Sequence, residues 1–274
     1  MMRLHATHVS RGLTVGALFA SGLFACGANG ERVTREDGAP AVAVGQDTIG
    51  PAAPPGAPAT AFPAPSRPVA DIVAPRWTAE DDRDGDGEFS RVALLANFRR
   101  GQTVADIGAG DGYYVARVSP IVGPTGLVFG QDIMADYLGL LQRRVRRESL
   151  GNVRVVLGDE HDPRLPAASV DVALMIHMYH EIAQPYALLW NLATAMKPGG
   201  RLVILDLERP TFGHGTPPSL LRCELRAVGY RERSFTRTGD EEYVAIFDAP
   251  ESTKRPTPDA MMTALTRSPC KAPR

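Results

Sequence analysis

The segment Val104–Tyr114 reads VADIGAGDGYY, with an acid, Asp106, two residues ahead of three alternating glycines, Gly108, Gly110 and Gly112. Glycines at that spacing let a chain turn sharply and let its backbone approach a ligand closely. A dinucleotide fingerprint would space them G-x-G-x-x-G and seat a pyrophosphate on the next helix N-terminus. Here the spacing is G-x-G-x-G. A carboxylate at Asp106 would repel a pyrophosphate and attract the ammonium of an amino-acid-type ligand. Two further acids follow. Asp132, in GQDI with Ile133 beside it, can accept hydrogen bonds from both hydroxyls of a ribose. Asp159, in LGDE, is placed to accept from an adenine amino group. Each acid alone reads as a solvated loop charge. Three of them after three successive strand candidates, with the glycine loop first, are hard to explain that way.

A second group of reactive side chains is Ile176-His177-Met178-Tyr179-His180-Glu181. Histidine is the side chain best suited to proton transfer near neutral pH. His177 or His180 is a candidate general base, and Tyr179 a candidate for orienting an acceptor. The plainer alternative is that they line a pocket or cap the next helix. H-x-x-H-E is not a zincin helix, where the histidines stand four apart, so no metal is expected. His214 is a candidate for a pocket rim, and His161, in DEHDPRLP, reads as solvated. Asp82, Asp84, Asp86 and Gly87 imitate the start of an EF-hand loop, but its twelfth position is Ala93, where a bidentate Glu is required. The arginines at 143, 144, 146 and 147 read as a solvated helix face.

These residues need a scaffold. From residue 77 onward short β-branched runs alternate with longer amphipathic ones. Strand candidates are Val104–Ile107, Leu127–Gln131, Val153–Leu157, Val170–Ile176 and Arg201–Leu207. Helix candidates are Gly112–Ser119, Met134–Ser149, Pro185–Met196 and Pro217–Val228, after a helical lead-in over 78–99. Alternation of this kind predicts an α/β fold, a three-layer doubly wound and mostly parallel sheet. Two closing runs, Tyr230–Thr236 and Glu242–Phe247, predict an antiparallel hairpin on that sheet.

The glycine loop, the spaced acids and the block MKPGGRLVILD at Met196–Asp206 resemble the class I S-adenosylmethionine (SAM)-dependent methyltransferases. The likeness spans roughly residues 77–248. It is closer still to a group of exported bacterial methyltransferase-domain proteins, through VADIGAGDGYY, HMYHE at His177–Glu181 and HGTPPSLL at His214–Leu221. The resemblance implies a Rossmann-like seven-stranded sheet with the last strand antiparallel. It implies SAM as methyl donor, lying across the carboxyl ends of the first strands. Asp106, Gly108, Gly110 and Gly112 would cradle its methionine moiety, Asp132 and Ile133 would meet the ribose end, and Asp159 the adenine. The acceptor is expected to be a small molecule or an envelope component. A non-catalytic module of the same fold, holding SAM or another metabolite, is the alternative. An NAD-dependent oxidoreductase is disfavoured by the glycine spacing.

Composition is consistent with one globular domain. Of 274 residues, 44% are hydrophobic and 22% charged, and the net charge of -1 leaves no basic footprint for nucleic acid. The three cysteines, Cys26, Cys223 and Cys270, form no C-x-x-C pair, which excludes a zinc ribbon and a disulfide-dense scaffold. Residues 1–26 read as a signal peptide: a basic start with Arg3 and Arg11, the apolar run LTVGALFASGLFA, and a lipobox-like Leu23-Phe24-Ala25-Cys26. Lipid on Cys26 would hold the chain at a membrane, on the periplasmic face, with a cytoplasmic location as the alternative. Residues 27–76, rich in Pro and Ala, are expected to be a disordered tether, and 249–274 a disordered tail.

Overall fold

The β-branched runs become seven strands: β1 Thr103–Ile107, β2 Leu127–Asp132, β3 Val153–Leu157, β4 Val170–Ile176, β5 Met196–Leu207, β6 Arg231–Arg237 and β7 Glu242–Asp248. The structure is a computed structural model that describes residues 49–73, 79–251 and 253–272. The expected signal peptide and Cys26 lie outside them. The strands form one sheet in the order β3-β2-β1-β4-β5-β7-β6. The first five strands pair in parallel, while β7 runs antiparallel to both β5 and β6. Strand order therefore reverses between β1 and β4, the place where an open α/β sheet leaves a crevice beyond its carboxyl ends.

The helices are α1 Glu80–Gly85, α2 Glu88–Ala96, α3 Tyr113–Val122, α4 Ala135–Arg147, α5 Pro185–Ala195, α6 Pro218–Val228 and α7 Pro258–Arg267. The lead-in is two helices rather than one, broken at Gly87, which takes a left-handed φ of 71°. The central strands are apolar on both faces, as a covered parallel sheet requires. Val104, Val172, Leu174, Val203 and Val244 meet α2, α3 and α4 on one side. Ala105, Ala173, Met175, Leu202 and Phe247 meet α5, α6 and α7 on the other.

Two expectations are corrected. Residues 49–73 are not a free tether but lie along the domain. Gly50 bridges Val156 at the outer edge of β3, and the Gly56 and Ala57 N–H groups donate to Asp162 and Asn191. Phe62 is buried against Trp190 at 5.7 Å between ring centroids. Arg67 is the anchor: its guanidinium pairs with Glu224 at 3.0 Å, with both side chains fully buried, and donates to the carbonyls of Tyr179, His180 and Ile182. One arginine thereby ties the segment to α6 and to the loop after β4. Removing one partner of such a buried pair costs about 3–5 kcal/mol, because the other charge is left uncompensated. A Pro/Ala-rich composition predicts disorder only for a chain that must build its own core. This segment borrows one.

The tail is ordered for the same reason. Thr257 caps α7, Met261 and Leu265 enter the core, and the Arg255 guanidinium lies 3.3 Å from the Trp190 ring centroid. Cys270 forms a disulfide with Cys223 of α6, across 47 residues of sequence. Ser66 bridges Lys271, so the two added segments also meet each other.

Candidate active site

β1 delivers Asp106 to the carboxyl edge of the sheet, and the glycine loop follows at once. The Gly108 and Ala109 N–H groups both donate to the Gln131 carbonyl, at 2.9 and 2.8 Å, clipping the loop to the end of β2. Gly108 and Gly110 sit at φ 74° and 55°, where an L side chain is strained. Beyond them opens a cavity of about 360 Å³, lined by Asp106, Gly108, Gly110, Asp132, Ile133 and Asp159. That volume lies in the range of small-molecule and cofactor sites. Gly112 does not line it. It caps α3 at φ 92°, and a Cβ there would stand 2.4 Å from Leu141 Cδ1, so its task is close packing of helix against helix.

The two inner acids differ in their surroundings. Asp132 is anchored: one carboxylate oxygen accepts from the Gly110 N–H and the other from the Met134 N–H, both at 2.9 Å. Burial raises its pKa, and these backbone bonds pull it partly back. Each oxygen keeps a lone pair for a ligand hydroxyl. Asp106 is 4% exposed, and its carboxylate accepts no side-chain hydrogen bond from the described residues. Burial pushes its pKa up to about 7, with Arg83 opposing the shift and Asp132 adding to it. Asp159 stands on the rim, with Arg164 3.3 Å from its carboxylate.

The block after β4 divides. His177, in a left-handed conformation at φ 52°, lines the cavity with Met178 and Glu181. Tyr179 and His180 do not reach it, which corrects the expectation that both belong to the reaction centre. The turn Tyr179–Glu181 is a single 3-10 turn that folds these two side chains down into the core. The Tyr179 hydroxyl donates to Glu224 at 2.9 Å, and His180 Nδ1 lies 3.0 Å from Asp206 of β5.

Behind His177 stands a residue that sequence reasoning missed. Glu88 Oε2 is 3.6 Å from His177 Nε2. It also accepts from Arg83 at 2.5 and 3.0 Å and from the Tyr114 hydroxyl at 2.8 Å. Burial alone would raise its pKa, but the His177 and Arg83 side chains outweigh it and hold the carboxyl at about 2. Glu88 is thus a fixed anion behind a histidine that faces the cavity. In sequence it is only an acid at a helix start, the commonest place for one. Also missed was the segment Val69–Val73, whose residues line the cavity. It is held by the Ala70 N–H to the His180 carbonyl and by the Val73 N–H to Glu181 at 3.1 Å.

The cavity's residues fit an adenosine-type ligand that carries an ammonium: a buried carboxylate, a glycine cradle and an anchored acid one strand away. Residues 104–200 match the family model of a methyltransferase domain. The ubiquinone/menaquinone biosynthesis C-methyltransferase UbiE of Stutzerimonas stutzeri is 31% identical over 118 residues, which are 43% of this chain and 46% of that protein. The enzyme of the same name from Pseudomonas putida F1 is 32% identical over the same shares. The chain thus spans about half the length of the curated relatives it matches. Among solved structures, a SAM-dependent methyltransferase from Aquifex aeolicus shares the fold, with a TM-score of 0.56 and 24% identity over 60% of this chain and 90% of its own. A possible exported protein from Bordetella parapertussis shares it too, with a TM-score of 0.51 and 17% identity over 62% and 68%. Residues 104–200 are thus similar to a methyltransferase domain, and the seven-stranded sheet that contains them shares the fold of the Aquifex aeolicus SAM-dependent methyltransferase.

Proposed function

We propose that this protein transfers a methyl group from SAM to a small-molecule or envelope acceptor, at the cavity beyond β1, β2 and β4. The observation that carries the reading is Asp106: a buried carboxylate that accepts no side-chain hydrogen bond from the described residues, beside a glycine loop, is suited to a ligand ammonium. Asp132 and Ile133 would meet the ribose end and Asp159 the adenine. SAM, when bound, supplies a methyl already activated on a sulfonium, so the protein's task is to align the acceptor and exclude water. The segment Val69–Val73, apolar apart from Asp71, contributes a wall that suits an acceptor with an apolar body. His177 is the side chain placed to take a proton from an acceptor that must lose one, and Glu88 would stabilise the imidazolium that results.

Export with lipid on Cys26 belongs to the same proposal. The apolar run and lipobox-like ending support it, and so does the Cys223–Cys270 pair, since disulfides persist mainly in oxidising compartments. Among the described residues no helix is long and apolar enough to cross a membrane. Cells fed a labelled fatty acid should label the parent chain and not the Cys26→Ser variant. A parent chain that carries no label and keeps Met1 contradicts this part.

The Asp106 assignment has a pH signature. The ammonium needs the ionised carboxylate, whose pKa in the free fold is about 7. SAM affinity should therefore be full above that pH and fall as the pH drops below it. The same raised pKa means that the ligand-free protein loses stability as pH rises from 3.8 to about 7, the window in which the unfolded carboxyl has ionised and the buried one resists. Asp106→Asn should remove both dependences and weaken SAM by about 10-fold to 100-fold at pH 8, the loss of one charge-assisted bond. Calorimetric titration across pH 5.5–8.5 together with melting curves reads both effects. A variant that binds SAM like the parent at every pH rules out the ammonium contact.

For the chemistry, His177→Ala should lower turnover about 100-fold or more while SAM affinity holds. If affinity falls and turnover at saturation holds, His177 is a wall of the cofactor site and not a base. The measurement is kcat beside SAM affinity for the same variant, with methyl acceptance from labelled SAM as the assay.

A further inference from the structure

We infer that His180, Glu181 and His214 form a binding site for a divalent transition cation of the zinc type, against the wall of the cavity. The three donors come from two chain segments that sequence spacing does not relate. His180 and Glu181 lie in the turn after β4, and His214 in the loop between β5 and α6. Each offers one ligand atom, and these atoms all lie within 4.8 Å of one another. His180 Nε2 is 4.0 Å from Glu181 Oε1, and the two imidazoles meet edge to face at 5.5 Å between centroids.

Hydrogen bonding around the cluster favours a cation. His180 Nδ1 lies 3.0 Å from Asp206 Oδ1, and that oxygen also accepts the Leu207 N–H. Asp206 is fully buried, so the imidazole N–H belongs on Nδ1 and the Nε2 lone pair faces the Glu181 carboxylate. Glu181 Oε1 accepts the Val73 N–H as well, and a cation between it and Nε2 would use the lone pairs that face each other. A carboxylate behind a histidine is also the arrangement that orients metal-binding imidazoles. On the other side of the cluster, His214 Nδ1 is buried without a hydrogen-bond partner among the described residues. Buried polar atoms are rarely left unpaired, and one that is calls for a ligand.

The donor set selects the ion class. Two imidazoles and one carboxylate suit Zn²⁺ or Fe²⁺ and leave at least one position open, whereas calcium and magnesium prefer oxygen donors. A tetrahedral ion with bonds of 2.0–2.1 Å needs donors roughly 3.3 Å apart. The present spacing would close to that by small side-chain rotations. Glu181 also lines the cavity, so the ion would border it. The inference does not rest on the methyl-transfer reading, because its test reads metal uptake alone.

The test uses the full chain without a histidine tag, stripped with chelator and titrated with Co²⁺ followed by visible absorption, then displaced with Zn²⁺. The expected result is one equivalent of Co²⁺ with the strong bands of a four- or five-coordinate site. His214→Ala, a loop substitution whose fold is checked by circular dichroism, should lose at least 100-fold in affinity. Asp206→Asn should lose about 10-fold to 100-fold. No saturable uptake by the parent chain would overturn the site and leave a proton shared between His180 and its two carboxylates. Uptake that survives His214→Ala unchanged would overturn it equally.

Discussion

Asp106 is the constraint around which the rest is arranged. An ionised carboxylate removed from water is costly unless something compensates it. Among the described residues Arg83 favours the ionised form and Asp132 opposes it, and burial outweighs both. The residue is held in place because β1 lies between β2 and β4, with both faces covered by helices. A central strand cannot twist its end away to solvate one side chain. In the proposed function that cost stands in the free protein and would be relieved by the ammonium of a bound ligand. The glycine loop follows from the same requirement. A ligand that reaches Asp106 must pass close to backbone, and Gly108 and Gly110 allow both that approach and the positive φ values of the turn.

The segments outside the sheet are part of this arrangement. Arg67 enters a buried pair with Glu224 and at the same time holds three carbonyls of the loop that follows His177. Glu224 accepts in turn from the Tyr179 hydroxyl. The loop's path, with His177 and Glu181 toward the cavity and Tyr179 and His180 away from it, thus depends on a residue more than a hundred positions earlier. The tail closes the system from the far side, through Trp190, the Cys223–Cys270 disulfide and the bridge from Ser66 to Lys271. The cavity wall at Val69–Val73 is the end of the first of these segments, held to the loop by Ala70 and Val73.

The sheet and the glycine loop were legible because their signals are local. Val153–Leu157 and Val170–Ile176 are strands over the residues that their β-branched runs mark. The acid-glycine spacing at 106–112 encodes backbone geometry directly. What failed was long-range. Tyr179 and His180 have the chemistry of reactive residues, and only the 3-10 turn and the partners Glu224 and Asp206 decide that they face inward. Glu88 looks like any helix-start acid until Arg83, Tyr114 and His177 converge on it. Residues 49–73 have a composition that cannot build a core, and composition says nothing about a core built by the rest of the chain. Pairing of Cys223 with Cys270 likewise depends on where α6 and the tail come together.

The central claim is that the cavity beyond β1 is built for an adenosine-type ligand bearing an ammonium, and not for a dinucleotide. Calorimetric titration of the purified chain at pH 8 with SAM and, separately, with NAD⁺ tests it most directly. The account predicts one saturable SAM site per chain and no saturable heat with NAD⁺. Saturable NAD⁺ binding without SAM binding would contradict it.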